Sequence, residues 1–437
     1  MSDTTSIAPQ TNNLIDESAV SSGPTWLAER RAAALSRFRE VGFPTRRDEE
    51  WRVTPIAPIL ETPFVLAQPA AADEALLEGK RIDGAHELVF VNGRYDAAAS
   101  RRQPLPQGVV AVPLGEAIAA GHPALEAHLA KGVTGQSHAF AALNTASIGE
   151  QGAFVFLPRG AVVETPIHLV FVSQPGAQAA VSHPRLLVIA EEHAQASLVE
   201  RYEGPEGAVY LTNTASEFSI GAEAVVKHYK VQQESLAAFH MASVQAELER
   251  ASTFQSHSFG FGGAIARNDV GAGMRGEYAE ATLNGLFLAK GRQLMDSHTT
   301  IDHAVPNCPS HELYKHILDD HARGVFNGKI FVRLDAQKTD AKQTNKTLLL
   351  SPDAQINTKP QLEIFADDVR CTHGATVGQL SAEQLFYLRS RGIGQEQAQD
   401  LLIYAFAAEN IQRIEIDALR EELDAILLTE RHIEGLE

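Results

Sequence analysis

The chain has 437 residues, 44% of them hydrophobic and 21% charged, with 32 Gly and 20 Pro. This is ordinary globular usage, and at about 150 residues per unit the length allows roughly three structural units. Lys and Arg number 37 against 55 Asp and Glu, a formal net charge of −18 that repels phosphate backbones and anionic surfaces, so neither nucleic acid nor a membrane is expected as a partner.

The N-terminal stretch Met1-Ser-Asp-Thr-Thr-Ser-Ile-Ala-Pro-Gln has neither the basic start nor the apolar core of a secretory leader. Leu401 to Ala408, among the longest apolar runs, is far too short to span a bilayer. The two cysteines, Cys308 and Cys371, supply no disulfide framework and no C-x-x-C pair. A cytoplasmic, reducing setting is the expectation.

Residues 1–24 are rich in Ser, Thr and Asn without periodicity and read as a disordered tail. Residues 25–150 read as an N-terminal helical α/β region. After Pro24, the apolar residues Trp26, Leu27, Ala34, Leu35 and Phe38 recur at helical spacing, with Gly42 and Pro44 as the stop. Leu88-Val-Phe-Val91 predicts a strand ending at the Asn92-Gly93 turn, and Leu114 to Ala120 a helical piece. Residues 151–378 then carry short strand-like runs such as Ala153–Leu157, Ile167–Val172, Leu186–Ala190, Ala224–Val231, Gly285–Ala289 and Lys329–Val332, separated by Gly, Pro, Asn or Asp. So long a run of strands with almost no helix between them argues for an all-β stack. A β-helix fits better than a sandwich because it lengthens by adding turns, although no crisp short repeat is visible. Residues 379–437 return to helical periodicity in three segments, including Phe386 and Tyr387, then Leu401 and Phe406, then Leu419, Leu423 and Leu427. Such an end-piece is expected to cap the stack or to recruit a partner.

Several motifs invite chemistry. Gly271-Ala-Gly273-Met-Arg-Gly276 matches a dinucleotide-binding pattern, but strand-like sequence follows where a helix is required, and a Gly-rich turn explains the glycines. Gly324 to Ile330 resembles a phosphate loop that is one residue short and lacks the Mg²⁺-ligating hydroxyl, so no ATP site is expected. His298, His303, His311, His316 and His321 crowd around Cys308 without an H-E-x-x-H pattern and read as surface histidines more readily than as ligands. Asp367 and Asp368 face opposite ways on a strand and read as structural. In Cys371-Thr-His373, by contrast, alternate residues of a strand put thiol and imidazole on one face, about 7 Å apart at Cα, which is half of a tetrahedral metal set. A buried cysteine beside a hydrogen-bonded histidine is the plainer alternative.

The run Ser351-Pro-Asp-Ala-Gln-Ile-Asn-Thr-Lys-Pro-Gln-Leu-Glu-Ile-Phe-Ala-Asp-Asp-Val-Arg-Cys-Thr-His-Gly-Ala-Thr-Val-Gly, continuing to Leu385-Phe-Tyr-Leu-Arg-Ser-Arg-Gly-Ile393, closely resembles the C-terminal signature of the SufB/SufD family of iron-sulfur cluster assembly scaffolds. Gly42-Phe-Pro-Thr-Arg-Arg-Asp-Glu-Glu-Trp-Arg52 and Ala336-Gln-Lys-Thr-Asp-Ala341 resemble its N-terminal and central motifs. His-Gly-Ala-Thr-Val-Gly at 373–378 and the scarcity of cysteine are closer to the SufD branch than to SufB.

The resemblance implies a mainly β protein, a right-handed parallel β-helix between an N-terminal α/β region and C-terminal helices, acting as a non-enzymatic scaffold of the SUF system. It implies pairing with a SufB-like subunit, or homodimerisation where that subunit is absent, and binding of a SufC-like ABC ATPase. It places His373 and Cys371 on the family's functional histidine and neighbouring cysteine, where an iron-sulfur cluster or iron would be held transiently and shared with the partner. It leaves open whether flavin binds the assembled complex. Leu362 and Ile364 near the last strand edge, and Phe386, Tyr387, Leu401 and Phe406 in the helices, are the expected partner contacts. A β-helical enzyme for a saccharide or acyl donor, which would turn over substrate alone, and a purely structural stack, in which His373 is dispensable, are the competing classes.

Overall fold

The computed structural model describes residues 14–430. From Gly152 to Gly378 the chain winds as a parallel β-solenoid, laying strands alternately into two sheets, so that from Tyr210–Ile220 onward each strand pairs in parallel with the strand two places later. The expected strands lie within this ladder, mostly as longer elements of about ten residues: Glu280–Ala289 and Arg323–Val332 contain the two short runs read from sequence.

The missing repeat has a geometric cause. Phe239 pairs with Ile265, Ile265 with Leu294, Leu294 with Arg323 and Arg323 with Gln355, so successive turns take 26, 29, 29 and 32 residues. What repeats is the register of inward side chains: Phe218, Ala246, Ala272, Ile301, Ile330 and Leu362 form one column, each a turn beyond the last. Parallel sheets bury both faces, and here the outer faces are apolar as well as the inner ones. The outer face of the first sheet, with Val181, Leu211, Phe239, Met241, Ile265, Leu294 and Val325, is covered by helix Thr25–Val41 and the wholly buried helix Ala139–Ala146.

The outer face of the second sheet, with Val199, Tyr229, Val231, Phe259, Leu286, Ile317 and Leu348, lies under helices Gln395–Ile411 and Asp417–Glu430 through Ile403, Ala407, Ile411, Leu419 and Leu423. The C-terminal helices therefore lie along the flank, packed on its apolar residues, and do not cap the end of the stack. A buried ion pair pins them there: Arg201 on the sheet binds Glu422 of the last helix, with Nη1 to Oε1 at 2.8 Å.

One further expectation needs correction. The segment 14–24 is not part of a disordered tail: Leu14, Ile15 and Val20 are buried in the cluster under the first helix, and the Leu14 carbonyl lies 2.7 Å from His183 Nε2. Residues 1–13 of that expected tail lie outside the described residues. The N-terminal α/β region is present, and its strands join the sheets of the solenoid. His86–Val91 extends the second sheet and joins Arg94–Arg101 through the Asn92-Gly93 hairpin, while Val110–Pro113 pairs antiparallel with Gly152–Leu157 of the first.

Candidate functional site

The solenoid stops at Gln355–Ile364 in the first sheet and Arg370–Gly378 in the second, and each is the terminal strand of its sheet. Their outer N–H and C=O groups have no ladder partner, and the side chains that would face the next turn are uncovered. The inward column that is fully buried at Ile301 and Ile330 ends at a half-buried Leu362, and beside it Ile364 is 38% and Val377 48% exposed.

Cys371 and His373 stand on the inward face of the last strand, since Cys371 registers with buried Ala341 and His373 with buried Gln343. The structure thus brings the two side chains to one face, as strand alternation requires. Cys371 is half-buried against Ile330, Val332, Ala341 and Ala366, while His373 is exposed. Burial pushes the Cys371 thiol up, with the backbone N–H of Ala341 opposing and the charge of Asp340 adding, so it is a thiol at neutral pH. Among the described residues no three His, Cys, Asp or Glu side chains are placed to hold a metal, so these two donors make an incomplete set within one chain.

The helical residues separate into two groups. Phe386 and Tyr387, on the short helix Ala382–Ser390 that follows the last strand, are 75% and 57% exposed, and that helix buries no residue. Leu401 and Phe406 are half-buried; Phe406 packs against the cluster on the flank of the second sheet, and Lys315 Nζ sits 4.8 Å over its ring and donates to its carbonyl. Of the two groups, Phe386 and Tyr387 are the more exposed. Phe365 and Val377 join the exposed apolar set at the end, and Val377, four residues beyond His373 on the same face, was readable from alternation alone.

The histidine window is only partly at the surface: His321 is exposed and His311 half-buried, while His298, His303 and His316 are buried. His303 and His316 are buried inside the solenoid, and Cys308 is buried with them, its thiol near the Gly276 carbonyl. His298 lies in a groove of about 900 Å³ between segment 42–51 and the outer face of the first sheet. There its ring bridges Glu50 and Asp296 at 3.3 and 3.0 Å. Burial alone would lower the imidazole pKa, but Asp296 and Glu50 outweigh it and lift it to about 9. Arg267 pairs with Asp296 and Asp269 and lies 3.8 Å from the centre of the Trp51 ring, and Thr54 donates to Asp296. This web of charges fastens the Asp48-Glu-Glu-Trp51 motif to the sheet and leaves His298 no free lone pair for a metal.

Gly271 and Gly273 lie within strand Ile265–Met274 and not in a turn, where a side chain at Gly271 would collide with Gln245 of the previous turn. Gly324 and Gly328 are likewise inside a strand, with Lys329 paired to Glu363. Neither motif has the loop-to-helix geometry that cradles phosphate. No helix among the described residues is long and apolar enough to cross a membrane.

Two family models cover nearly the whole chain: the SufBD protein N-terminal region over residues 9–169, and the SUF system FeS cluster assembly SufBD core domain over residues 171–406. The chain belongs to the SufBD family. An iron-sulfur cluster assembly SufBD family protein of Synechocystis is 33% identical over 407 residues, covering 91% of this chain and 89% of that protein. The iron-sulfur cluster assembly protein SufD of Escherichia coli is 32% identical over 406 residues, 89% of each chain, and SufD of Bacillus subtilis is 29% identical over 302 residues, 68% of each. This SufBD chain is thus SufD-like over its solenoid and its N-terminal region, a protein of iron-sulfur cluster assembly.

Proposed function

We propose that the chain is a non-enzymatic scaffold subunit that pairs, edge to edge, with a related SufB-like β-helical subunit across Gln355–Ile364 and Arg370–Gly378. His373 and Cys371 would then form one half of a site shared with that partner, through which iron or a nascent cluster passes as cargo. One observation carries this reading. Among the described residues, the one Cys and His pair on the terminal strands lies on the inward face of the last strand, which no further turn covers, beside partly uncovered Leu362 and Ile364. Parallel edges of this length add strands from a second chain readily. We further propose that the exposed helix carrying Phe386 and Tyr387 docks a SufC-like ABC ATPase, since this chain has no phosphate loop of its own.

The experiment is iron and sulfide content of the co-purified complex at matched subunit stoichiometry. His373→Ala, which removes an exposed side chain, is expected to leave folding and pairing intact and to cut cluster loading severely. Cys371→Ser, which keeps the shape and loses the soft sulfur, is expected to give a milder loss. Equal loading in His373→Ala and wild type would defeat the shared-site reading.

A further inference from the structure

Below the open end, the inside of the solenoid is not apolar. On the second sheet the inward column beneath His373 runs through Gln343 to Glu312, each one turn deeper. Gln343 Nε2 donates to Glu312 Oε2 at 2.5 Å, which leaves the amide Oε1 of Gln343 without a protein donor. Beside it, Asn345 Oδ1, Thr347 Oγ1 and His316 Nε2 are buried and also lack protein partners, and all belong to these same two turns. Gly328, on the facing sheet, makes room for the Gln343 amide, which an added Cβ would meet at 2.4 Å. One turn deeper the polar strip ends, because Leu283 registers with Glu312 and Phe287 with His316, both buried. Buried polar atoms in such number, grouped over three neighbouring registers of these two strands, are satisfied by ordered water, which bonds to about three groups at once.

We propose that the last turns of the solenoid enclose a hydrated shaft, closed at its base by Leu283 and Phe287, through which Glu312 exchanges a proton with the mouth beside His373. The carboxylic acid gives its proton to the adjacent water, the water file passes one proton outward, and the carboxylate regains one by the reverse path; no oxidant or reductant is involved. The electrostatics agree with the geometry. Burial pushes the Glu312 carboxyl up to about 7, against the opposing hydrogen bonds of Gln343 and Thr299. The titratable groups turned to it carry no compensating charge: His316 is held neutral by burial, and the Tyr314 hydroxyl is pushed up by burial and by Glu312 itself. When a partner covers the mouth, Glu312 becomes a proton store inside the interface. That consequence rests on the pairing proposed above, whereas the shaft itself does not.

The test uses the isolated full chain, with no metal and no partner, so that it stands apart from any failure of cluster loading. Infrared difference spectra at about pH 6 would identify the protonated carboxyl band by its loss in Glu312→Gln. On transfer to D₂O that band is expected to shift within seconds, long before the slowest backbone amides, whose exchange requires global unfolding. Gln343→Leu, which plugs the shaft with an apolar side chain, is expected to slow the shift at least about 10-fold, while His373→Ala leaves it fast. A wild-type band that exchanges only with the slowest amides would show a sealed acid and overturn the proposal, whether or not Gln343→Leu folds. An unchanged rate in folded Gln343→Leu, or no protonated band at all, would overturn it equally.

Discussion

At the N-terminal end, the solenoid is finished by the four-residue strand Val110–Pro113 and the eight-residue strand Arg94–Arg101, both antiparallel to their neighbours, whereas the C-terminal end stops at parallel strands of ten and nine residues. The first arrangement shows the usual means of blunting an edge: short length, a proline, and the charged Arg94, Asp96 and Arg101. Its turns are further roofed by Leu114, Leu125, Leu129 and Ile148 packed on Phe154 and Leu187. The second arrangement has Pro360, which lacks an N–H and is compatible with an edge position, and the charged Lys359, Glu363 and Arg370, but its strands are long and parallel and leave Leu362, Ile364 and Val377 partly bare. One end is built to stop the ladder and the other leaves it open, which is where the pairing proposed above would continue it. The pair Cys371 and His373 sits on the open end.

The sharpest way to break this contrast is to loosen the N-terminal cover. Glu217 accepts from the backbone N–H groups of Ala130, Gly132 and Val133, at 2.8, 2.8 and 3.1 Å, and pairs with Arg185 at 2.7 Å inside the protein. Glu217→Ala strands a buried guanidinium and three donors, so chemical denaturation should report a loss of roughly 3–5 kcal/mol. A loss below about 1 kcal/mol would mean that water reaches Arg185 and that the cover is loose.

At the open end, the same kind of change should spare the monomer. Ile364→Lys puts a charge on a side chain that is already 38% exposed, so its effect on the isolated chain should stay within about 0.5 kcal/mol. Affinity for the partner should fall roughly 10- to 100-fold, as for a charge set in a desolvated patch, measured by light scattering or calorimetry. An undisturbed complex would place the interface elsewhere. The smallest effect is expected from Phe386→Ala with Tyr387→Ala, which removes exposed rings from a helix with no buried residue. Folding and pairing of the solenoid should be unchanged while co-purification of the ATPase drops; full retention would free this helix of any docking role.

Much of this protein could be read from local pattern. The strand runs, the helix from Trp26 to its stop at Gly42, the hairpin at Asn92-Gly93 and the shared face of Cys371 and His373 follow from periodicity and turn chemistry, which act over a few residues. The motif at 42–52 could be recognised there but not explained, because its partners Arg267, Asp296 and His298 lie more than two hundred residues away. Tertiary structure alone decided that the C-terminal helices lie along the flank, that Leu14 and Ile15 belong to the core, and that His303 and His316 are interior. It also decided that Glu312 lies in a polar column beneath the open end, because a side chain's surroundings in a solenoid are set by residues one turn away, and turns here vary from 26 to 32 residues. Alternation along a strand determines which way a side chain points, and only the register between turns determines what it meets.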